Sequence, residues 1–371
     1  MKCKLSDICY FRKGKVEVEN LNTKNYISTE NMLPNKSGIT EATSLPNVSS
    51  TQEYKNGDVL VSNIRPYFKK IWQARYDGGC SNDVLVFVPK STTDRDFLYY
   101  LLADDDFFTY SMATSKGTKM PRGDKTSIMQ YEVPMVDFCT QKKIASVLKS
   151  LDEKIELNNA INENLEQQAQ AIFKSWFVDF EPFSNQMPSD WSVSTLGNIS
   201  IMGAGGDKPQ NVSPIKSNLY QYPIYSNGLS DEGLYGFTDK PKIFKESVTV
   251  SARGTIGFVC LRHIPYVPIV RLVTLIPKTE IISAKYLYLW LKQLHITGTG
   301  TTQQQLTIPD FRKTEILVPS QEIVTLFTDT VEPIFEKIWA NQSENEKLSS
   351  LRDTLLPKLM SGELDVSVID L

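Results

Sequence analysis

The stretch IASVLKSLDEKIELNNAINENLEQQAQAIFKSW, Ile144 to Trp176, decides the architecture of this chain. Apolar, small or amide residues recur at Ile144, Leu148, Leu151, Ile155, Asn158, Asn162, Leu165, Ala169, Ile172 and Trp176, alternating spacings of four and three. That period places them on one seam of a helix and predicts a coiled coil. A second seam runs through Val324, Phe327, Val331, Ile334, Ile338, Asn341, Asn345, Leu348, Arg352, Leu355 and Leu359. Each carries two consecutive Asn layers near its middle, so the two helices are expected to pair with each other. In an antiparallel pair, opposed residues have a constant sum of numbers, and 503 sets Asn158 against Asn345 and Asn162 against Asn341. The same sum sets Ile144 against Leu359, Trp176 against Phe327, and Leu151 against Arg352, whose stem can cover the leucine while its charge reaches water. Sliding by one heptad would bury unpartnered amides, so the Asn layers act as a register lock. Pro333 predicts a kink or a late helix start.

Outward from the seams, the globular halves repeat. GDVLVSNIRP (from Gly57), the apolar run Val84 to Pro89, FLYYLL (from Phe97) and YEVP (ending at Pro134) find counterparts later in the chain. These are ESVTVSARGT (from Glu246), RLVTLIP (ending at Pro277), YLYLWL (from Tyr286) and EILVP (ending at Pro319). Val61 matches Val250, Pro89 matches Pro277, Leu98 matches Leu287 and Pro134 matches Pro319, at offsets between 185 and 189. So long a period signals two copies of a domain rather than a solenoid. Val59–Ile64, Val84–Val88, Ser247–Ser251, Gly257–Leu261 and Leu272–Ile276 read as strands, and Asp96–Tyr110 and Ala284–Leu294 as short packed helices. The polar stretches Asn20–Ser50 and Gly203–Asn218 read as irregular loops.

With 371 residues, 41% of them hydrophobic, the chain can bury two cores, and no apolar run reaches bilayer-spanning length. The leading MKCKLSDICY lacks a secretory apolar segment, and the five cysteines lack the paired spacing of zinc sites or disulfide scaffolds, so a cytoplasmic protein with reduced thiols and no metal is expected. The net charge is −3. It hides a partition, because the globular halves are mildly basic and the helices acidic; solvated helix faces account for this as readily as a nucleic-acid partner does.

QQAQAIFKSWFVDFEPF (Gln167 to Phe183) and LRDTLLPKLMSGELDV (Leu351 to Val366) at the helix ends carry a family resemblance. So do VPMVDFCTQKKI (Val133 to Ile144) and VPSQEIV (Val318 to Val324), which lead into the helices through a proline and then a glutamine, and the frame residues YSNG (Tyr225 to Gly228) and ARGTIG (Ala252 to Gly257). Over its whole length the chain resembles the specificity (S) subunit of type I restriction–modification systems. The resemblance implies an α+β protein of two similar mixed target-recognition domains separated by two long helices that form an antiparallel coiled coil. The expected boundaries are 1–140 for the first recognition domain, 141–183 for the central helix, 184–319 for the second domain and 320–371 for the C-terminal helix and tail. It further implies double-stranded DNA, two modification (methyltransferase) subunits docked on the coiled coil, and restriction (motor–nuclease) subunits as partners. S-adenosylmethionine, ATP and magnesium would then belong to those partners, with no cofactor on this chain.

The residues lead to a compatible role. Two similar domains held by an antiparallel rod present faces related by a two-fold axis, the symmetry that duplex DNA offers to dimeric readers with half-sites about 34 Å apart. From Ile144 to Trp176 a helix extends about 48 Å. Because the domains differ in sequence, an asymmetric bipartite target with an unread spacer is expected. Candidate contacts in the first domain are Asn63, Arg65, Tyr67, Lys69 and Lys70 after a strand, and Lys116, Lys119, Arg122 and Lys125 on a Gly-containing loop. The second domain offers Arg253 and Thr255, then Thr301, Thr302, Gln303, Gln304 and Gln305 in the run GTGTTQQQ. Lys and Arg neutralise phosphates, Arg reads guanine and Gln reads adenine; the competing reading of each is a solvated polar loop.

Catalytic readings find no support in the residues. GAGG (Gly203 to Gly206) lacks the strand–glycine–helix context of a cofactor loop, IRPY (Ile64 to Tyr67) lacks the paired prolines and amide of an adenine methyltransferase, and no carboxylate–lysine pair follows Pro309–Asp310. His263 and His295 sit in apolar surroundings and read as structural. A non-catalytic DNA-recognition subunit is expected. An enzyme with an unfamiliar site and a protein scaffold that never touches DNA are the alternatives.

Overall fold

In a computed structural model, which describes residues 2–298 and 305–366, the chain divides into two units. The first comprises residues 1–158 and 343–371, the second 159–342. Each unit therefore holds part of both long helices, Phe138–Phe177 and Gln321–Ser361.

The first unit opens with Lys2–Lys4 antiparallel to Glu132–Pro134. A four-stranded sheet follows in the spatial order Cys9–Phe11, Val84–Pro89, Val59–Ser62, Ile71–Gln73. Val59 to Val61 and Val84 to Val88 are buried throughout, because one sheet face meets the helices and the other meets a second sheet. That second sheet is ordered Lys15–Glu17, Ser50–Tyr54, Gly78–Cys80, Tyr26–Ile27. Where a loop was expected over Asn20–Ser50, the pair Tyr26–Ile27 joins Gly78–Cys80 in parallel. Asn31 makes this possible, its amide donating to the Tyr26 and Thr40 carbonyls and so pinning the intervening chain. The helical stretch expected over Asp96–Tyr110 is two helices, Arg95–Ala103 and Asp105–Ala113, since Asp104 leaves helical geometry and caps the second by accepting from the Asp106 amide.

The second unit repeats this order. Ser192–Thr195 pairs with Glu315–Val318, and a four-stranded sheet runs Ser200–Ala204, Val273–Pro277, Ser247–Val250, Val259–Arg262. A smaller sheet joins Leu234–Thr238, Tyr222–Tyr225 and Val267–Pro268, and Ala284–Gln293 supplies the packed helix.

The two long helices run antiparallel within each unit. In the first, the Asn158 Nδ2 donates to Asn345 Oδ1 and to Glu344, both at 2.9 Å, and Arg352 bonds Asp152 at 2.7 Å, which also accepts from the Tyr100 hydroxyl at 2.7 Å. In the second, Asn341 Nδ2 donates to Asn162 Oδ1 at 2.8 Å and the Trp176 and Phe327 rings meet at 5.8 Å. Asn158 and Asn341 are each 1% exposed, so their amides have no access to water and depend on the opposing side chain. Asn158→Ala, which removes a buried amide and its bonds to Asn345 and Glu344, is expected to cost about 1–3 kcal/mol in urea unfolding, whereas Asn158→Leu with Asn345→Leu should be near neutral. A double variant as costly as the single one would mean that the pair supplies more than mutual satisfaction.

The late start or kink expected at Pro333 does not interrupt the second helix, which begins twelve residues earlier at Gln321 and continues through the proline. Pro333 is exposed, as is Asp329 one turn before it, so the carbonyl that loses its N–H partner faces solvent.

Candidate nucleic-acid interface

In the first unit the strand Val59–Ser62 reaches Ile71–Gln73 through a turn that buries Asn63 and exposes Tyr67. Arg65 and Lys69 both lie in the left-handed region, at φ 52° and 50°, with the Pro66–Phe68 helical turn between them. The loop from Lys116 to Arg122 closes on itself through amide–carbonyl bonds in both directions. It also lies against the turn, the Arg65 amide donating to the Pro121 carbonyl at 2.8 Å and the Gly123 amide to the Asn63 carbonyl at 3.1 Å. Residues 63–70 and 116–125, far apart in sequence, thus form one surface.

The side chains on it differ in what they already bind. Lys69 bonds Asp105 at 2.7 Å, a carboxylate that Lys36 also reaches at 2.8 Å; burial alone would raise the Asp105 pKa, but the two ammonium groups hold it below the ordinary range. Lys70 donates to the Thr29 carbonyl at 2.6 Å, and its partial burial lowers its pKa. Lys116 pairs with Asp124 at 3.0 Å and Arg122 with Asp83 at 3.2 Å. Lys119 and Lys125 are exposed, and Tyr67 packs its ring on Phe68 at 4.7 Å. Asp83, Asp105 and Asp124 are components that the sequence alone did not mark: Asp83 and Asp105 are far along the chain from Arg122 and Lys69, whereas Asp124 shares the loop of Lys116.

In the second unit the equivalent connection, between Ser247–Val250 and Val259–Arg262, carries Arg253 and Thr255. Glycine takes the left-handed positions here, Gly254 at φ 69° and Gly257 at φ 85°. At Gly257 a Cβ would also come within 2.9 Å of the Ile296 carbonyl oxygen. Arg253 donates to Gln305 Oε1 from Nε at 3.2 Å and from a terminal nitrogen at 2.8 Å. Asn227 braces the turn, accepting from the Ala252 amide and donating to the Val270 carbonyl; it was visible only as part of the YSNG frame. Val270 and Arg271 are themselves left-handed, at φ 51° and 59°, which is unfavourable for a β-branched residue. Thr301, Thr302, Gln303 and Gln304 lie outside the described residues.

Residues 1–167 and 188–349 match the model of the type I restriction modification DNA specificity domain. The chain belongs to that family. Similar relatives include the type I restriction enzyme MjaIX specificity subunit of Methanocaldococcus jannaschii, 30% identical over 75% of this chain and 71% of that one. The HindI specificity subunit of Haemophilus influenzae is 28% identical over 91% of this chain and 94% of the relative. A crystal structure of the type I restriction–modification S subunit from M. genitalium shares the fold, with a TM-score of 0.58 at 19% identity, covering 97% of this chain and 96% of that one. Among the described residues no helix is long and apolar enough to cross a membrane.

His295, expected in apolar surroundings, is exposed and lines a cleft with Gln305, Thr307 and Asp310. His263 stacks on Trp339 at 4.2 Å between ring centres, and although one edge is exposed, burial of the stacked face together with Lys285 and Arg262 pushes its pKa down to about 4. The imidazole is therefore neutral in the fold while the unfolded chain takes up a proton below its ordinary pKa near 6.5. Its contribution is present above pH 6.5 and is lost as the pH falls from there to about 4. His263→Gln should flatten the stability profile of urea unfolding in that window; an unchanged slope would show that the imidazole titrates normally.

Proposed function

We propose that this chain is the sequence-specificity subunit of a type I restriction–modification complex, reading an asymmetric bipartite DNA target with one unit per half-site. The observation that carries the reading is the duplication: the same turn, between the same two strands, bears polar and cationic side chains in both units, but different ones. Arg65, Tyr67 and the Lys116–Arg122 loop serve one half-site, and Arg253, Thr255 and Gln305 the other. Readers of duplex DNA combine such phosphate-neutralising cations with a few base-edge donors.

The chain itself is non-catalytic in this reading. Two modification subunits dock on the paired helices, restriction subunits join in the full complex, and S-adenosylmethionine, ATP and magnesium act on those partners in the cytoplasm. The test is to express the chain with its modification subunit and map methylated adenines across a genome. A two-part motif with an unread spacer is expected, with binding that weakens steeply as salt rises. Methylation by the purified chain alone would favour an enzyme, and salt-independent partner binding without a motif would favour a scaffold.

A further inference from the structure

Among the described residues, the buried side-chain polar atoms left without a hydrogen-bond partner are Asn63 Oδ1, Arg65 Nε, Thr93 Oγ1, Thr255 Oγ1 and Trp290 Nε1. Three of these five, on Asn63, Arg65 and Thr255, lie in the two equivalent turns. Folded proteins pair nearly all such atoms, so their concentration here marks a surface shaped for something other than its own stability. Backbone geometry points the same way. Where the second unit uses Gly254 at φ 69°, the first holds Arg65 at φ 52°, a conformation that costs a side chain and persists only where the surroundings enforce it.

The arginine kept in that position has no acceptor. Around it Lys69, Lys70, Lys116 and Arg122 are each engaged by a carboxylate or a carbonyl, whereas no hydrogen bond or ion pair engages the Arg65 side chain among the described residues. Approach of a paired cation to DNA brings its carboxylate along, which opposes the phosphates. Arg65 brings none. In the second unit Arg253 is held by Gln305, whose neutral amide oxygen takes two of its donors and orients the guanidinium without cancelling its charge.

We infer that Arg65 and Arg253 are the specificity-determining arginines of the two units, each reading a guanine edge in its own half-site, with Gln305 a positioning residue for Arg253. A guanidinium fork matches guanine O6 and N7, a geometry that lysine cannot reproduce. The inference rests on the DNA-reading function proposed above and adds which side chains carry the sequence information. It also makes the paired cations of the first unit contributors to the surface rather than readers.

The test uses the complex of this chain with its modification subunit and compares genome-wide methylated motifs. Arg65→Lys and Arg65→Gly should each relax one guanine position in one half of the motif, lowering discrimination there about 5- to 150-fold. Arg65→Gly relieves the left-handed strain, so its thermal stability should equal or exceed that of the natural chain, which separates lost reading from lost folding. Arg253→Lys should relax a single guanine in the other half. Gln305→Ala should relax that same position less severely and add little on top of Arg253→Lys, a coupling that a merely structural glutamine would not show. Arg122→Ala should leave every position fixed. Unchanged motifs with both Arg65 variants, or relaxation of one half by the arginines of both units, would overturn the inference while the bipartite reading stood. Absence of any bipartite motif with the natural chain would overturn both.

Discussion

Phe173→Ala is expected to destabilise the second unit by about 3–5 kcal/mol. Phe173 is fully buried, and its ring meets Phe177 at 5.1 Å, Tyr286 at 5.4 Å, Phe327 at 5.8 Å and Trp290 at 6.2 Å. It stands where both long helices and Ala284–Gln293 converge, so truncation leaves a cavity lined by rigid rings that cannot close on it. For a unit of this size each kcal/mol moves the midpoint by roughly 2–4 °C, so calorimetry should show a loss of about 6–20 °C in the transition of the second unit. A change below about 1 kcal/mol would mean that the aromatic cluster repacks freely, contrary to its interlocked geometry.

The second large effect is electrostatic. Lys285 is only 4% exposed, and Glu246 at 2.8 Å and Glu332 at 2.9 Å flank its ammonium. Replacing both by glutamine keeps the shape and leaves a buried, uncompensated cation, at an expected cost of about 3–5 kcal/mol. A third substitution supplies the check. Adding Lys285→Met to the double variant should restore most of the loss at neutral pH. Failure of that rescue would show that the glutamates act on something other than the lysine.

Much of this molecule can be read from its residues, for identifiable reasons. The duplicated order of strands follows from β-branched runs such as Val84 to Val88 and Val248 to Val250, which have few alternatives once bounded by Gly, Pro and Asn. The helix pairing follows from four asparagines, because an amide buried on a seam has few tolerable neighbours. Family membership came from the helix ends, where the residues are most distinctive. What the heptad pattern hid is a second buried row, one residue beyond the seam: Ala145, Phe173, Phe177, Phe335, Leu356 and Met360 are all buried. This row packs on the globular part of its own unit, with Phe173 and Phe177 also meeting Phe327 of the opposite helix, so toward their ends the helices bury a wider stripe than a free coiled coil does. Gln141 ties the same junction, accepting from the Asp94 amide and donating to the Thr92 and Val136 carbonyls. The recognition turns were legible as polar loops, but the pairing of Lys69 and Arg122 with the distant Asp105 and Asp83, and the left-handed backbone at Arg65, depend on chain crossings that no local window contains.

That second row has a consequence for how the protein is made. Leu356, Leu359, Met360 and Val366 complete the core that Leu5, Cys9 and Val59 begin. A ribosome that has finished the first recognition fold must add roughly two hundred and twenty more residues before these side chains exist, about 10–40 s at ordinary elongation rates. Through that interval the amino-terminal unit is an unfinished hydrophobic surface dependent on shelter, and a frameshift late in the reading frame removes the cover from the first half of the protein while leaving its sequence intact.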